Sequence, residues 1–145
     1  MEIRILKYGS EDYLKMVSLR TEILRKPLGL IFTPEQLEKE ASDLLIGVFD
    51  GSNIIGCCLL TPKKDHVVQL RQMAVDQKVQ RMGVGAALLK FAEQTCLEHG
   101  FITLMLHARK EAIGFYTRSG YCLSGPEFLE VGILHQQMQK QLLRS

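Results

Sequence analysis

Gln69 to Gly100 reads QLRQMAVDQKVQRMGVGAALLKFAEQTCLEHG. It opens in an apolar run, Val67–Val75, that suits a strand. A polar loop follows, then two glycines one residue apart, Gly83 and Gly85. Apolar residues at Ala87, Leu88, Phe91 and Ala92 then recur with helical spacing, and Gly100 is a natural C-terminal stop. Strand, loop and helix therefore meet at the glycine pair. Backbone N–H groups at a helix start, on the positive end of its dipole, attract phosphate. Glycines let the backbone approach such a ligand closely, and Arg81 adds charge. A plain strand-to-helix turn explains the same two glycines, so the pair alone leaves both readings open. A dinucleotide fingerprint needs a third glycine where Leu88 stands, and a P-loop needs Gly-Lys-Ser/Thr. Neither pattern is present, so a phosphate-bearing ligand would be of another kind.

Working outward, Ile3 and Ile5 alternate as a short strand. SEDYLKMVSLRTEIL reads as a helix with Ser10 at the N-cap and Glu11 and Asp12 in the first turn. RKPLGLIF is an irregular connection. TPEQLEKEA carries a capping box, with Thr33 at the cap, Pro34 at the first helical position and Gln36 three after the cap. Leu44–Phe49 and Ile54–Thr61 flank Asp50-Gly51-Ser52-Asn53, which is hairpin chemistry. Ile102–His107 is a continuous apolar run, as in a strand buried on both faces. Lys110–Gly120 is a short helix. YCLS starts another strand, GPEF is a loop, and GILHQQMQK is the last strand. The order β-α-α-β-β-β-α-β-α-β-β places a strand–helix–strand unit inside a mostly antiparallel sheet, an α/β fold of the mixed α+β kind.

The chain has 145 residues, 46% hydrophobic and 23% charged, which suits one domain over 1–145. The net charge of +2, with no long block of one sign, argues against nucleic acid as a partner. No apolar run approaches a membrane span and no signal-peptide core opens the chain, so the expected location is cytoplasmic. Cys57, Cys58, Cys96 and Cys122 lack CxxC spacing, which argues against zinc or a disulfide framework and leaves four buried or half-buried thiols. No metal is expected.

The segment from Gln69 resembles the acyl-CoA-binding core of the GCN5-related N-acetyltransferases. That family has an apolar triplet, here Met73-Ala74-Val75, then Gln/Arg-x-x-Gly-x-Gly/Ala, here Gln80-Arg81-Met82-Gly83-Val84-Gly85. Its later helix-to-strand signature is matched by Ala112-Ile113-Gly114-Phe115-Tyr116-Thr117-Arg118-Ser119-Gly120-Tyr121. The resemblance implies a twisted, mostly antiparallel sheet with a splayed parallel strand pair, flanked by about four helices. It implies that N–H groups from Arg81 to Ala86 hold the pyrophosphate of acetyl-CoA. The backbone of Met73 to Val75 would pair with the pantetheine arm. Ala112 and Phe115 belong to the same cofactor face. Arg109 stands where many members have asparagine, and could reach a cofactor phosphate.

Direct transfer from a thioester to an amine needs a neutral amine, a donor for the oxyanion and a proton for the thiolate. The resemblance assigns the oxyanion to a backbone N–H near Val75 and the thiolate to Tyr116, since a phenol of ordinary pKa around 10 can donate a proton. For the base the candidates are Glu127, Glu130 and His135, the histidine on the last strand; a strand histidine that is merely hydrogen-bonded fits His135 as well. His107, near a strand tip, is an outside candidate. Leu19-Arg20-Thr21-Glu22-Ile23-Leu24-Arg25-Lys26-Pro27-Leu28-Gly29 resembles one wall of the acceptor pocket in a subgroup of small bacterial members. There Arg20 and Arg25 either recognise an anionic acceptor or are ordinary surface arginines. The implied partners are a coenzyme A thioester and an amine acceptor, with a homodimer through the last strands allowed. A non-catalytic acyl-CoA sensor on the same fold is the alternative.

Overall fold

The computed structural model describes residues 1–142. Along them run β1 (Glu2–Leu6), α1 (Glu11–Arg20), α2 (Pro34–Glu38), β2 (Leu44–Asp50), β3 (Asn53–Pro62), β4 (Val67–Val75), α3 (Val84–Glu98), β5 (Thr103–Arg109), α4 (Ile113–Arg118), β6 (Cys122–Glu130) and β7 (Ile133–Gln141). This is the element order expected from the sequence. The fold is mixed α/β, its pairings antiparallel except for the parallel pair β4/β5. The chain forms two compact units, residues 1–61 with 72–92, and residues 62–71 with 93 onward. Strand β4 thus begins in the second unit and ends in the first.

In the first unit the strands run β1-β2-β3, with Ile3 opposite Val48 and Ile46 opposite Cys58. Gly51, at φ 61°, makes the tight turn between Asp50 and Asn53. Ser10 caps α1 by accepting from the Tyr13 N–H at 3.1 Å, which turns Tyr13, Met16 and Leu19 onto one buried face. That face packs with Leu6, Leu45, Phe49, Cys57, Leu59 and Ala74. Each side chain of this size stabilises by roughly 1.5–3 kcal/mol when fully buried. The capping box at Thr33 and Gln36 forms in both directions.

The first helix departs from expectation at its C-terminal end. Regular α1 stops at Arg20. A π-turn covers Thr21–Arg25 and a 3-10 turn covers Lys26–Leu28, ended by Gly29 at φ 71°. Thr21 Oγ1 donates to Val17 O at 2.8 Å, and Pro27 has no N–H to continue the ladder. Arg20 is not on the surface. It is fully buried and donates twice to Glu40, Nη1 to Oε1 at 2.8 Å and Nη2 to Oε2 at 2.7 Å. Tyr13 donates to the same carboxylate at 2.9 Å, and its phenol pKa is pushed well up by burial and by Glu40. Arg20 therefore cannot serve an anionic acceptor. The Arg20 and Arg25 guanidinium groups both lie over the Phe32 ring.

In the second unit the strands run β4-β5-β7-β6. Val67–Leu70 pair in parallel with Thr103–Leu106, and Thr103–Arg109 pair antiparallel with His135–Gln141. GPEF, expected as a loop, lies inside β6. The register slips between Leu123 and Glu127, Gly125 takes φ 75°, and Gln136 Nε2 donates to Gly125 O at 2.6 Å. The segment is a bulge rather than a connection, because a β7 side chain satisfies the carbonyl that the ladder leaves open. Strands β6 and β7 are joined by Val131-Gly132, both at positive φ, 46° and 75°.

Candidate functional site

The donor motif lies wholly in the first unit. Asp76 leaves β4 with its N–H on Ile55 O at 2.9 Å, and its carboxylate accepts from the Lys78 N–H at 2.9 Å. Gln80 folds its side-chain amide back onto Val75 O at 3.1 Å, closing the loop. Arg81 at φ 71° and Gly83 at φ 83° turn the chain into α3. The first α3 bond runs from the Ala87 N–H to Gly83 O at 3.0 Å. The N–H groups of Val84, Gly85 and Ala86 precede it and have no acceptor within the helix. A Cβ at Gly83 would meet no heavy atom within 4 Å, so space is open beside the turn. Met82 is largely exposed and Val84 is buried. These features fit a polyanion held by main-chain donors.

One residue of this region carries no mark in the motif. A Cβ on Gly56 would sit 3.2 Å from Val84 Cγ1 and 3.6 Å from Ala74 O. Gly56 lets the start of α3 lie close against β3. Its sequence signal is a glycine in the middle of a strand run, which marks close backbone approach.

The second unit holds the other candidate residues. Arg109 ends β5, directly opposite His135 on β7. Ala112 closes a 3-10 turn over Lys110–Ala112 that leads into α4. Tyr116 is buried, its ring edge-on to Phe115 at 5.0 Å and to Tyr121 at 5.8 Å. The end of α4 is pinned from two sides. Tyr121 donates to Glu93 Oε2 at 2.8 Å, and Lys140 Nζ reaches Glu93 Oε1 at 3.0 Å and Ser119 O at 2.9 Å. Burial and the Glu93 charge raise the Tyr121 phenol pKa well above normal.

The sheet register sorts the candidate bases. Residues directly opposite in an antiparallel pair share a face, and alternate residues along a strand share it too. His107 and Arg109 on β5, His135 on β7, and Phe128 and Glu130 on β6 therefore lie on one face. Glu127 pairs with Gln136 and faces the other way. The structure brings together Glu130, His135 and the outside candidate His107. Glu130 Oε1 lies 3.2 Å from His107 Nδ1, and Oε2 lies 3.6 Å from His135 Nε2. Phe128 packs edge-on to His107 at 4.8 Å and stacks on His135 at 5.9 Å. His135 is buried, 5% exposed, whereas the Glu130 side chain is 47% exposed.

The cysteines stand apart from this chemistry. Burial pushes the Cys57 and Cys96 thiols up to about 12, which keeps them protonated and unreactive near neutrality. Cys122 is exposed, against the expectation of a buried or half-buried thiol, because it opens the outer strand β6. Among the described residues no group of three or more His, Cys, Asp or Glu is arranged to hold a metal ion. No helix among them is long and apolar enough to cross a membrane.

A parallel strand pair within an antiparallel sheet, with a glycine-framed helix start after the first of the two strands, defines an acyl-CoA N-acyltransferase fold. Residues 24–142 match the family model described as "Acetyltransferase (GNAT) domain", and the chain belongs to that family. Among its relatives, "Probable N-acetyltransferase 14" of Xenopus tropicalis is 38% identical over 55% of this chain and 41% of its own length. "Uncharacterized N-acetyltransferase YjcF" of Bacillus subtilis is 33% identical over 73% of this chain and 74% of its own length. Of another relative, Bacillus subtilis YyaT, the match covers 54%, so this chain spans about half the length of some relatives it matches. The crystal structure of an aminoglycoside 6'-N-acetyltransferase complexed with coenzyme A superimposes with a TM-score of 0.84. That match covers 100% of this chain and 99% of the other at 13% identity, a likeness of fold.

Proposed function

We propose that this chain is an acetyl-CoA-dependent N-acetyltransferase acting on a primary amine by direct transfer in a ternary complex, as one domain over 1–145. The observation that carries the proposal is the loop from Gln80 to Ala86. Its positive-φ turn at Arg81 and Gly83 presents the first N–H groups of a 15-residue helix beside open space. Three features then support the donor's identity: the family match, the coenzyme A bound by the aminoglycoside acetyltransferase, and the absence of either nucleotide pattern from this loop. In this reading the N–H groups from Arg81 to Ala86 take the pyrophosphate, and the backbone of Met73, Ala74 and Val75 takes the pantetheine arm. Arg109, Ala112 and Phe115 complete the donor contacts. Tyr116 protonates the departing thiolate. Glu130 and His135 serve the amine, and the acceptor is a small molecule or a peptide.

The test has two stages. Thermal unfolding is followed with acetyl-CoA, coenzyme A and NAD. Selective binding to the folded state adds about 2.7 kcal/mol at a hundred times the dissociation constant. A shift with both coenzyme A species and none with NAD supports the donor assignment; no shift at saturation removes it. Thiol release is then read with a panel of primary amines, for wild type and Tyr116→Phe. A general acid contributes typically 10²–10⁴-fold, so the variant is expected to lose about 100-fold in kcat while KM for acetyl-CoA holds. Binding without thiol release on any amine is the outcome expected of an acyl-CoA sensor.

A further inference from the structure

The contact between Glu130 and His135 is short of one proton. His135 Nδ1 lies 2.8 Å from Ile133 O. A carbonyl oxygen only accepts, so Nδ1 carries the hydrogen, and in the neutral ring Nε2 is a bare lone pair. That lone pair faces Glu130 Oε2 at 3.6 Å. An ionised carboxylate has no hydrogen to offer either. Two acceptors therefore confront each other at 3.6 Å, an ion-pair separation rather than a hydrogen bond, and a proton arriving on either one makes the contact attractive. The other carboxylate oxygen is fixed separately, since His107 Nδ1 at 3.2 Å can donate to Oε1. The rings cannot turn away freely, because Phe128 stacks on one and meets the other edge-on. The buried imidazole stands behind and the exposed carboxylate in front.

We propose that Glu130 is the group that removes the proton from the acceptor amine, with His135 sharing that proton through Nε2 and His107 positioning the carboxylate. The inference rests on the acetyl-transfer reading above and names the base for it. The acceptor arrives as an ammonium. It gives one proton to the Oε2–Nε2 pair, and its freed lone pair forms the N–C bond as the carbonyl π electrons move to oxygen. On collapse the C–S bond breaks and its electron pair leaves with sulfur. Sulfur takes a proton from the Tyr116 phenol, the second amine proton leaves nitrogen for solvent, solvent restores the phenol, and the Oε2–Nε2 pair gives its proton up to solvent before the next turnover. Glu130 touches the acceptor and is catalytic; His107 and His135 are positioning residues. A carboxylate beside an aromatic ring also suits a cation, so the site draws the acceptor in its charged form.

The charged and titratable groups that the register puts on this face are Arg71 on β4, His107 and Arg109 on β5, Cys122 and Glu130 on β6 and His135 on β7, while Glu127 on β6 points away. Histidine is the side chain whose charge changes most readily between pH 5 and 8. The pair works only when proton-free, so kcat/KM falls on the acid side with a slope of one proton.

Thiol release from acetyl-CoA is measured from pH 5 to 9 with spermidine, glucosamine, alaninamide and an N-acetyl-lysine amide as acceptors. Wild type, Glu130→Gln, His135→Asn and His107→Gln are compared. Glu130→Gln keeps shape and exposure but cannot take the proton; kcat is expected to fall about 100-fold or more, with the acid limb lost and KM for acetyl-CoA unchanged. His135→Asn removes the ring that stands behind the carboxylate and is expected to lower kcat while KM for acetyl-CoA holds. His107→Gln keeps a donor to Oε1 and is expected to retain most of kcat, whereas His107→Ala does not. The acetyl-CoA thermal shift, retained in every variant, reports an intact fold. If wild type turns over an amine and Glu130→Gln stays within about threefold of it with the acid limb in place, the base assignment is wrong and the acetyl-transfer reading stands. If wild type binds acetyl-CoA but releases no thiol with any acceptor, the acetyl-transfer reading falls and takes this inference with it.

Discussion

The glycine loop of the first unit and the histidine–glutamate cluster of the second are built on opposite plans. The loop works with main chain. Its donors are N–H groups that every residue has, and side chains matter for the dihedrals they permit and the space they leave. The cluster works with side chains from three strands, and its geometry exists only because a register brings them to one face. A main-chain site tolerates exchange of most side chains but not a shift of backbone. A side-chain site tolerates backbone adjustment but not the loss of one functional group. Variants of the two regions should therefore differ in which kinetic quantity they move.

The largest expected effect lies in the framework of the first unit. Arg20 and Glu40 form a buried, bidentate pair, 0% and 3% exposed at their side chains. Removing one partner of such a pair leaves an uncompensated buried charge and costs about 3–5 kcal/mol. Glu40→Ala is expected to lower unfolding free energy by that amount in urea titration, and adding Arg20→Met to restore most of it. A loss under 1 kcal/mol for Glu40→Ala would mean that water reaches the pair and that it does not anchor the framework of the first unit.

Gly56→Val is the next step down. Its branched side chain would press on Val84 and Ala74 at the start of α3, and overpacking of this kind costs about 1–3 kcal/mol. If half of that falls on the loop, affinity for acetyl-CoA drops roughly 2- to 12-fold. The expected signature is a higher KM for acetyl-CoA with kcat nearly unchanged, the inverse of Glu130→Gln. A fall in kcat with KM unmoved would break the division between the two plans.

That division also explains what was legible beforehand. The donor loop could be read because main-chain sites leave a local pattern: an apolar strand, a polar turn, two glycines and a helical period within a few residues. Element order followed from similar local signals, such as Ser10 before α1 and the Thr33–Gln36 capping box. The π-turn after Arg20 was not legible, since a threonine hydroxyl bonding back to the carbonyl four residues before it leaves no pattern in the sequence. Nor was the burial of Arg20 itself, because an arginine on a helix is usually exposed. GPEF passed for a loop because its glycine and proline are turn residues; only the Gln136 amide on Gly125 O reveals the bulge. His107 stayed on the margin for the same reason, since β7 lies between its strand β5 and the strand β6 that carries Glu130, and no local pattern links the two residues. Once the register was known, period-two alternation alone separated Glu130 from Glu127.

The smallest effect tests the hairpin that carries Glu130. Val131 holds φ 46° and Gly132 φ 75°, between Glu130 and Ile133, which pair across the turn. Two consecutive positive φ values are the geometry of a two-residue hairpin turn that favours Asn-Gly. A β-branched residue there is strained, and such strain costs on the order of 1–3 kcal/mol. Val131 is also 44% exposed, so replacing it forfeits little apolar burial. Val131→Asn is therefore expected to stabilise the protein by about 1 kcal/mol, read as a rise of roughly 4 °C in Tm. Kinetics then decide what the strain is for. Unchanged kcat would mean that the pairing of β6 with β7 fixes Glu130 without help from the turn. A stabler protein with lower kcat would mean that the strained valine helps aim the carboxylate at its two histidines, and the side-chain site would then depend on backbone geometry as closely as the loop does.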